Sequence, residues 1–199
     1  GWFYPEMAEK AIAEGKLDMV AMARAWISNP NYGDLLYENR ADDLVPCLRC
    51  NKCHGRGKND IMTTCCSVNP KFGFEVVDRF LQKEPGKSKQ IAVIGGGPGG
   101  MQAAITAKQR GHEVELYEKT DALGGALKFA QHESFKHDLY RFAQWQAHQL
   151  ELLEVPVHLN TEVTAEFLDS LDVDTVICAV GANPIIPSQF GIPGDNYVL

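Results

Sequence analysis

Five of the six cysteines in this 199-residue chain fall between Cys47 and Cys66, and that crowding constrains the fold more than any other feature. Cys47, Cys50 and Cys53 follow one another at C-x-x-C spacing, and Cys65 or Cys66 offers a fourth sulfur. Small secreted domains usually spread their cysteines for disulfides, whereas clustering of this kind is what metal ligation needs. Segment 46–70 has no sustained hydrophobic period, so it is expected to form loop and short turns shaped by a ligand. Soft thiolates select zinc or iron–sulfur clusters. Successive two-residue gaps echo ferredoxin-type runs and zinc more often pairs two knuckles, so iron–sulfur leads and structural zinc stays open. His54 reads as a neighbour of the site rather than a ligand. The sixth cysteine, Cys178, lies in the apolar run Thr175–Val180 and is expected to be an inert buried thiol.

Downstream of the cysteines stands Gly95-Gly96-Gly97-Pro98-Gly99-Gly100, in which Gly95, Gly97 and Gly100 satisfy G-x-G-x-x-G. The first glycine permits a tight turn, the second lets backbone approach a pyrophosphate, and the third lets helix and strand pack closely. The helix N-terminus adds unpaired N–H donors and a positive dipole end. The context fits: Gln90–Ile94 reads as a strand before the turn, and Glu113–Tyr117 as a strand after the helix. Glu118 follows, eighteen residues beyond Gly100, placed to accept hydrogen bonds from an adenosine ribose. Leu123-Gly124-Gly125 and Ala179-Val180-Gly181-Ala182 put small residues where backbone can touch a dinucleotide, which favours FAD over nicotinamide at this site.

The rest of the chain reads as α/β. A helix is expected over Glu6–Glu14 with Gly15 as its stop, then a short buried strand over Asp18–Ala23, and a helix near Asn29-Pro30. Lys83–Gln90 is polar, with Pro and Gly, and reads as a linker. A helix over Met101–Arg110 ends at Gly111, and a long amphipathic helix over Phe135–Leu153 lines up Phe135, Leu139, Phe142 and Trp145. Strands near Val155–Leu159 and Thr175–Val180 would extend a parallel sheet.

Composition excludes more than it selects. A formal net charge of -7 argues against nucleic-acid or anionic-membrane partners, and no apolar run approaches a bilayer span. The start, Gly1-Trp2-Phe3-Tyr4-Pro5, reads as a cut edge without a leader, and the chain as cytoplasmic.

The string Pro46-Cys47-Leu48-Arg49-Cys50-Asn51-Lys52-Cys53-His54-Gly55-Arg56, followed by Cys66-Ser67-Val68-Asn69-Pro70, resembles the iron–sulfur flavoenzymes around trimethylamine dehydrogenase and 2,4-dienoyl-CoA reductase. The resemblance continues through Ile94–Gly100, Leu116-Tyr117-Glu118-Lys119, Leu123-Gly124-Gly125 and Ala179-Val180-Gly181. It implies the end of an FMN-binding (β/α)8 barrel over 1–45 and a [4Fe-4S] segment over 46–82. Beyond the linker it implies a Rossmann-like FAD domain over 91–199, truncated at an NAD(P)H-binding insertion. Cys47, Cys50, Cys53 and Cys66 would be the cluster ligands, with Cys65 spare. Gly95, Gly97, Pro98, Gly99, Gly100, Glu118, Lys119, Gly124, Gly125 and Gly181 would hold FAD. Ala23-Arg24 stands where the family carries a Gly-Arg pair at the FMN phosphate, and Arg24 can still pair with a phosphate.

The resemblance thus implies an interior fragment of an NAD(P)H-dependent oxidoreductase, inactive alone. Electrons would run from NAD(P)H through FAD and the cluster to FMN, for reduction of an activated C=C in a small-molecule substrate. The full-length enzyme could be a homo-oligomer. Alternatives are amine-dehydrogenase-type flow in the outward direction, or a non-catalytic nucleotide module with structural zinc. A Cys65–Cys66 redox disulfide would close a strained ring and fits less well.

Overall fold

The computed structural model describes residues 2–54, 64–81 and 86–182. Its centre is a four-stranded, all-parallel sheet in the order β3-β2-β1-β4, made of β1 (Gln90–Ile94), β2 (Glu113–Tyr117), β3 (Val157–His158) and β4 (Thr175–Cys178). β1 sits centrally because Ile91–Ile94 is apolar on both sides, and a parallel strand covered on both faces demands that.

One face of the sheet is covered by α5 (Pro98–Gln109) and α6 (His137–Leu152). Met101, Ala104 and Ile105 of α5 pack with Ile91, Val93, Leu116 and, from α6, Ala143 and Leu150. Each fully buried aliphatic side chain here contributes about 1.5–3 kcal/mol. On the opposite face α7 (Ala165–Ser170) brings Phe167 edge-on to Tyr117, with ring centroids 5.5 Å apart, above Ala92 and Ile94. Thr164 caps α7 by accepting from the Phe167 N–H.

Upstream lie α1 (Pro5–Ala13), α2 (Arg24–Ser28), α3 (Tyr32–Tyr37), short 3-10 turns at Ala41–Asp43 and Lys52–His54, and α4 (Glu75–Leu81). Pro5 occupies the first turn of α1, and Gly15, at φ +68°, turns the chain away beyond it. α6 ties this part to the sheet: Trp145 Nε1 donates to the Asp43 carbonyl, while Phe142 and Trp145 stack at 6.0 Å.

Several expectations need correction. Asp18–Ala23 is irregular, with Met19 81% exposed, because no described strand lies beside it to pair its backbone. Helix α2 starts at Arg24, where a loop was expected, and Pro30 precedes α3 instead of entering it. α5 starts at Pro98, three residues before Met101. Phe135 falls in a 3-10 turn ahead of α6 and is exposed, so the apolar face begins later than its spacing suggests. β3 is only two residues long. Cys178 is exposed, not buried: β4 is a sheet edge, Ile177 turns toward α5, and the alternate residues Val176 and Cys178 stay open. The expected linker over 83–90 falls partly outside the described residues, as does everything beyond Ala182.

Candidate dinucleotide turn and cysteine pocket

The chain runs outward from β1 to β2 and β3, then returns to the other side of β1 as β4. Ligands of open α/β sheets bind where such a reversal leaves a crevice, outside the carboxyl ends of the strands. Gly95–Gly100 occupies that place, directly after β1 and at the start of α5.

Three small-residue turns, far apart in sequence, meet there. Gly95 has φ +108°, and a Cβ on it would fall 2.4 Å from the Ala179 carbonyl oxygen, so the turn after β4 lies against it. Gly124 N–H donates to Gly96 O at 2.8 Å, and a Cβ on Gly125 would fall 2.8 Å from the Gly97 Cα. On Gly100 a Cβ would meet Gly95 O at 1.8 Å, so only glycine lets α5 leave the strand at this angle. Gly97 differs: its nearest neighbour to a built Cβ is Gly125 Cα at 3.9 Å, and Gly99 has none within 4 Å. The turn therefore carries a bare backbone surface at the α5 N-terminus, a cradle that side chains would fill and a pyrophosphate can approach. Gly181, at φ +76°, is likewise open.

Glu118 lies at the end of β2 and is 8% exposed. Its Oε2 accepts from Gly96 N–H at 2.6 Å, and its Oε1 from the Thr120 N–H and hydroxyl at 2.8 Å each. Burial works against its charge, but these donors and nearby Lys128 outweigh it and hold the carboxyl below its ordinary range. Lys119 is exposed beside it.

Cys47, Cys50, Cys53 and Cys66 line one small pocket together with Arg24, Asn51, Ser67 and Val68. Helix α2 is its platform. Asn29 pairs with Val45 through both amide atoms, donating to Val45 O at 2.9 Å and accepting from Val45 N at 2.7 Å, which fixes the entry to Cys47. Asn69 donates to Ile27 O at 2.7 Å and fixes the exit from Cys66. Arg49 and Asn51, at φ +55° and +58°, turn the loop twice in left-handed backbone, so Cys47 and Cys50 come to face the same space. Burial pushes the Cys47 thiol up, with Arg49 N–H and Arg24 pulling the other way; Cys66 and Cys53 are near enough to raise it further. For Cys50 burial is outweighed by the Ser67 hydroxyl and backbone N–H groups, and the thiol is lowered.

Among the described residues no three Cys, His, Asp or Glu side chains are drawn close enough to chelate a single ion. The four thiols line one small shared pocket. Ala23 and Arg24 join this loop, not the dinucleotide turn: Arg24 Nη1 donates to Asn51 Oδ1, and its guanidinium lies 4.7 Å from the Phe3 ring centroid.

The cysteine spacing and the glycine fingerprint were readable directly. Asn29 and Asn69 were not, because a buried amide that braces a loop looks like any other polar residue in sequence.

Residues 90–180 match the FAD dependent oxidoreductase family. An NADH oxidase of Thermoanaerobacter brockii is 39% identical over 193 residues, covering 96% of this chain and 30% of its own length. The family match takes in a little under half of the chain, and over it the sequence is similar to FAD-dependent oxidoreductases. A cinnamate reductase of Clostridium sporogenes is 34% identical over 181 residues, covering 90% of this chain and 27% of its own. Among solved structures, a 2-naphthoyl-CoA reductase in complex with 2-naphthoyl-CoA superposes with a TM-score of 0.83 at 33% identity, covering 92% of this chain and 28% of that one. The chain therefore spans about 30% or less of the length of these relatives. Among its described residues no helix is long and apolar enough to cross a membrane.

Proposed function

We propose that this chain binds FAD at the glycine turn and a [4Fe-4S] cluster in the cysteine pocket, as part of an NAD(P)H-dependent oxidoreductase that reduces an activated C=C bond of enoate or enoyl type. The observation that carries the reading is the meeting of the Gly95–Gly97 turn with Gly125 and with Ala179, leaving bare backbone beside the buried Glu118. The sheet order β3-β2-β1-β4 is that of a Rossmann-like half, which supports a dinucleotide at its switch point. Cys47, Cys50, Cys53 and Cys66 bring to one pocket the soft donors that an iron–sulfur cluster or zinc takes, and the successive two-residue spacing of the first three favours the cluster.

When bound, the groups supply hydride acceptance from NAD(P)H at FAD and single-electron passage through the cluster toward FMN. The chain's own residues do the positioning. Gly97 N–H and the α5 N-terminus receive the pyrophosphate, and Glu118, already deprotonated and ordered by Gly96 and Thr120, presents carboxylate oxygen to a ribose hydroxyl. Lys119, Gly124 and Gly181 border that path, and Cys65 stays outside the ligand set. FMN, held partly by Ala23 and Arg24 at the end of a (β/α)8 barrel, enters this reading from the family resemblance alone. So do the domain limits, a cytoplasmic location and a homo-oligomeric enzyme.

The substrate class draws on the names of the relatives, a cinnamate reductase and a 2-naphthoyl-CoA reductase, both acting on conjugated acids or their thioesters. The test is anaerobic addition of NADH, then NADPH, to the full-length enzyme that contains this segment, followed by cinnamate. Flavin bleaching, a paramagnetic reduced cluster and reoxidation by the enoate support the reading. A flavin that neither cofactor reduces contradicts it.

A further inference from the structure

Asp138 is the second residue of α6, 4% exposed, and is committed entirely to residues outside the sheet. Its Oδ1 accepts from the Tyr4 hydroxyl. Its Oδ2 accepts from Arg49 Nε at 2.5 Å and pairs with Arg49 Nη2. Arg49 stands between Cys47 and Cys50. The carboxylate thus reaches the cysteine pocket through a single residue. Two turns further along the same helix, Gln146 donates to Pro98 O at 3.0 Å, at the entry to the dinucleotide turn. Eight residues of α-helix separate the two grips by about 12 Å.

We infer that Asp138 is a positioning residue for the cysteine loop: it holds the Arg49 side chain within that loop and cancels the guanidinium charge beside the pocket, thereby setting the reduction potential of the cluster held there. The inference rests on the cluster reading proposed above. The Asp138 carboxylate, buried and stripped of its partner, would leave a full charge in a poorly screened place, while Arg49, 44% exposed, is partly screened by solvent. Net charge and hydrogen bonds to the sulfurs are among the terms that set cluster potentials. Arg24, which lines the pocket, is bonded to the neutral Asn51 amide, so among the described residues Asp138 decides whether Arg49 adds an uncompensated cation to Arg24 and Lys52 near the thiols.

Reduction adds an electron, so extra positive charge nearby raises the potential and extra negative charge lowers it. Asp138→Asn should shift the cluster midpoint upward and Arg49→Gln downward, and the double variant should return near wild type, since it restores the net charge. A merely structural role would weaken all three without opposite signs. The experiment is a dithionite titration followed by electron paramagnetic resonance, with iron and sulfide measured on the same samples. Wild-type protein without iron overturns the cluster reading itself. Iron retained with both single variants at the wild-type potential overturns the role of Asp138 alone. If Asp138→Asn holds too little cluster to titrate, Arg49→Gln decides: a lowered potential supports the inference and an unchanged one overturns it.

Discussion

Gly97 and Gly125 meet back to back: a Cβ on Gly125 would lie 2.8 Å from the Gly97 Cα, whereas a Cβ on Gly97 finds that same glycine at a comfortable 3.9 Å. The asymmetry separates binding from folding. Gly97→Ala fits the protein, so its thermal stability should stay within about 0.5 kcal/mol of wild type. Its methyl nevertheless enters the space for the pyrophosphate, and FAD affinity should fall about tenfold or more, equivalent to ~1.4 kcal/mol. Thermal melts of the flavin-free protein beside flavin titrations check both halves; unchanged affinity would remove Gly97 from the site.

Gly100 predicts the opposite pattern. With Gly95 O only 1.8 Å from a built Cβ, Gly100→Ala must push α5 off the end of β1. The cost should be about 2 kcal/mol, or roughly 6 °C in Tm, with or without flavin. Calorimetry reads this directly, and a Tm unchanged from wild type would mean the strand-to-helix junction is looser than drawn.

Glu118 carries a pH signature. Its native carboxyl is held below its ordinary value of 4.5, so the stability it lends is fully present above that value. As pH falls below 4.5 through the depressed native value, that stability is lost. Tm should therefore drop on acidification in wild type, and less steeply in Glu118→Gln, which has no proton to take up. Parallel slopes in the two proteins would contradict this.

Tyr117 gives a signal at the alkaline end. Burial and the hydrogen bond to Glu115, 2.8 Å away, push its phenol up to about 12. Stability from this group is present below its ordinary 10.0 and is lost as pH rises toward 12. In a tyrosinate difference titration, the component missing from Tyr117→Phe should be the last to appear. Its appearance near the ordinary value would show that the Tyr117–Glu115 contact is absent in solution.

The sheet and its turn were legible because their causes are local. An apolar strand, three glycines, a helix and a terminal acid write the βαβ unit into 90–118, and the structure reproduces β1 and β2 residue for residue. Asp18–Ala23 misled because its apolar residues have the composition of a strand, while a strand also needs a neighbour, which composition cannot supply. Cys178 misled for a related reason, since burial at a sheet edge depends on what covers it. The braces of the cysteine pocket were illegible for another reason. Asn29 and Asp138 each act across long stretches of chain, on Val45 and on Arg49, and such partners leave no periodicity to read. Asp138 in particular sits where any helix welcomes an acid, in the first turn.

The central claim is that one chain brings a flavin turn and a cluster pocket together, and metal and flavin content test it most directly. Anaerobically purified protein should contain about four iron and four sulfide per chain, as a four-cysteine cubane site requires, together with bound FAD. Cys50→Ser should lose the iron and keep the flavin. Zinc in place of iron, with no flavin, would contradict the account at both sites.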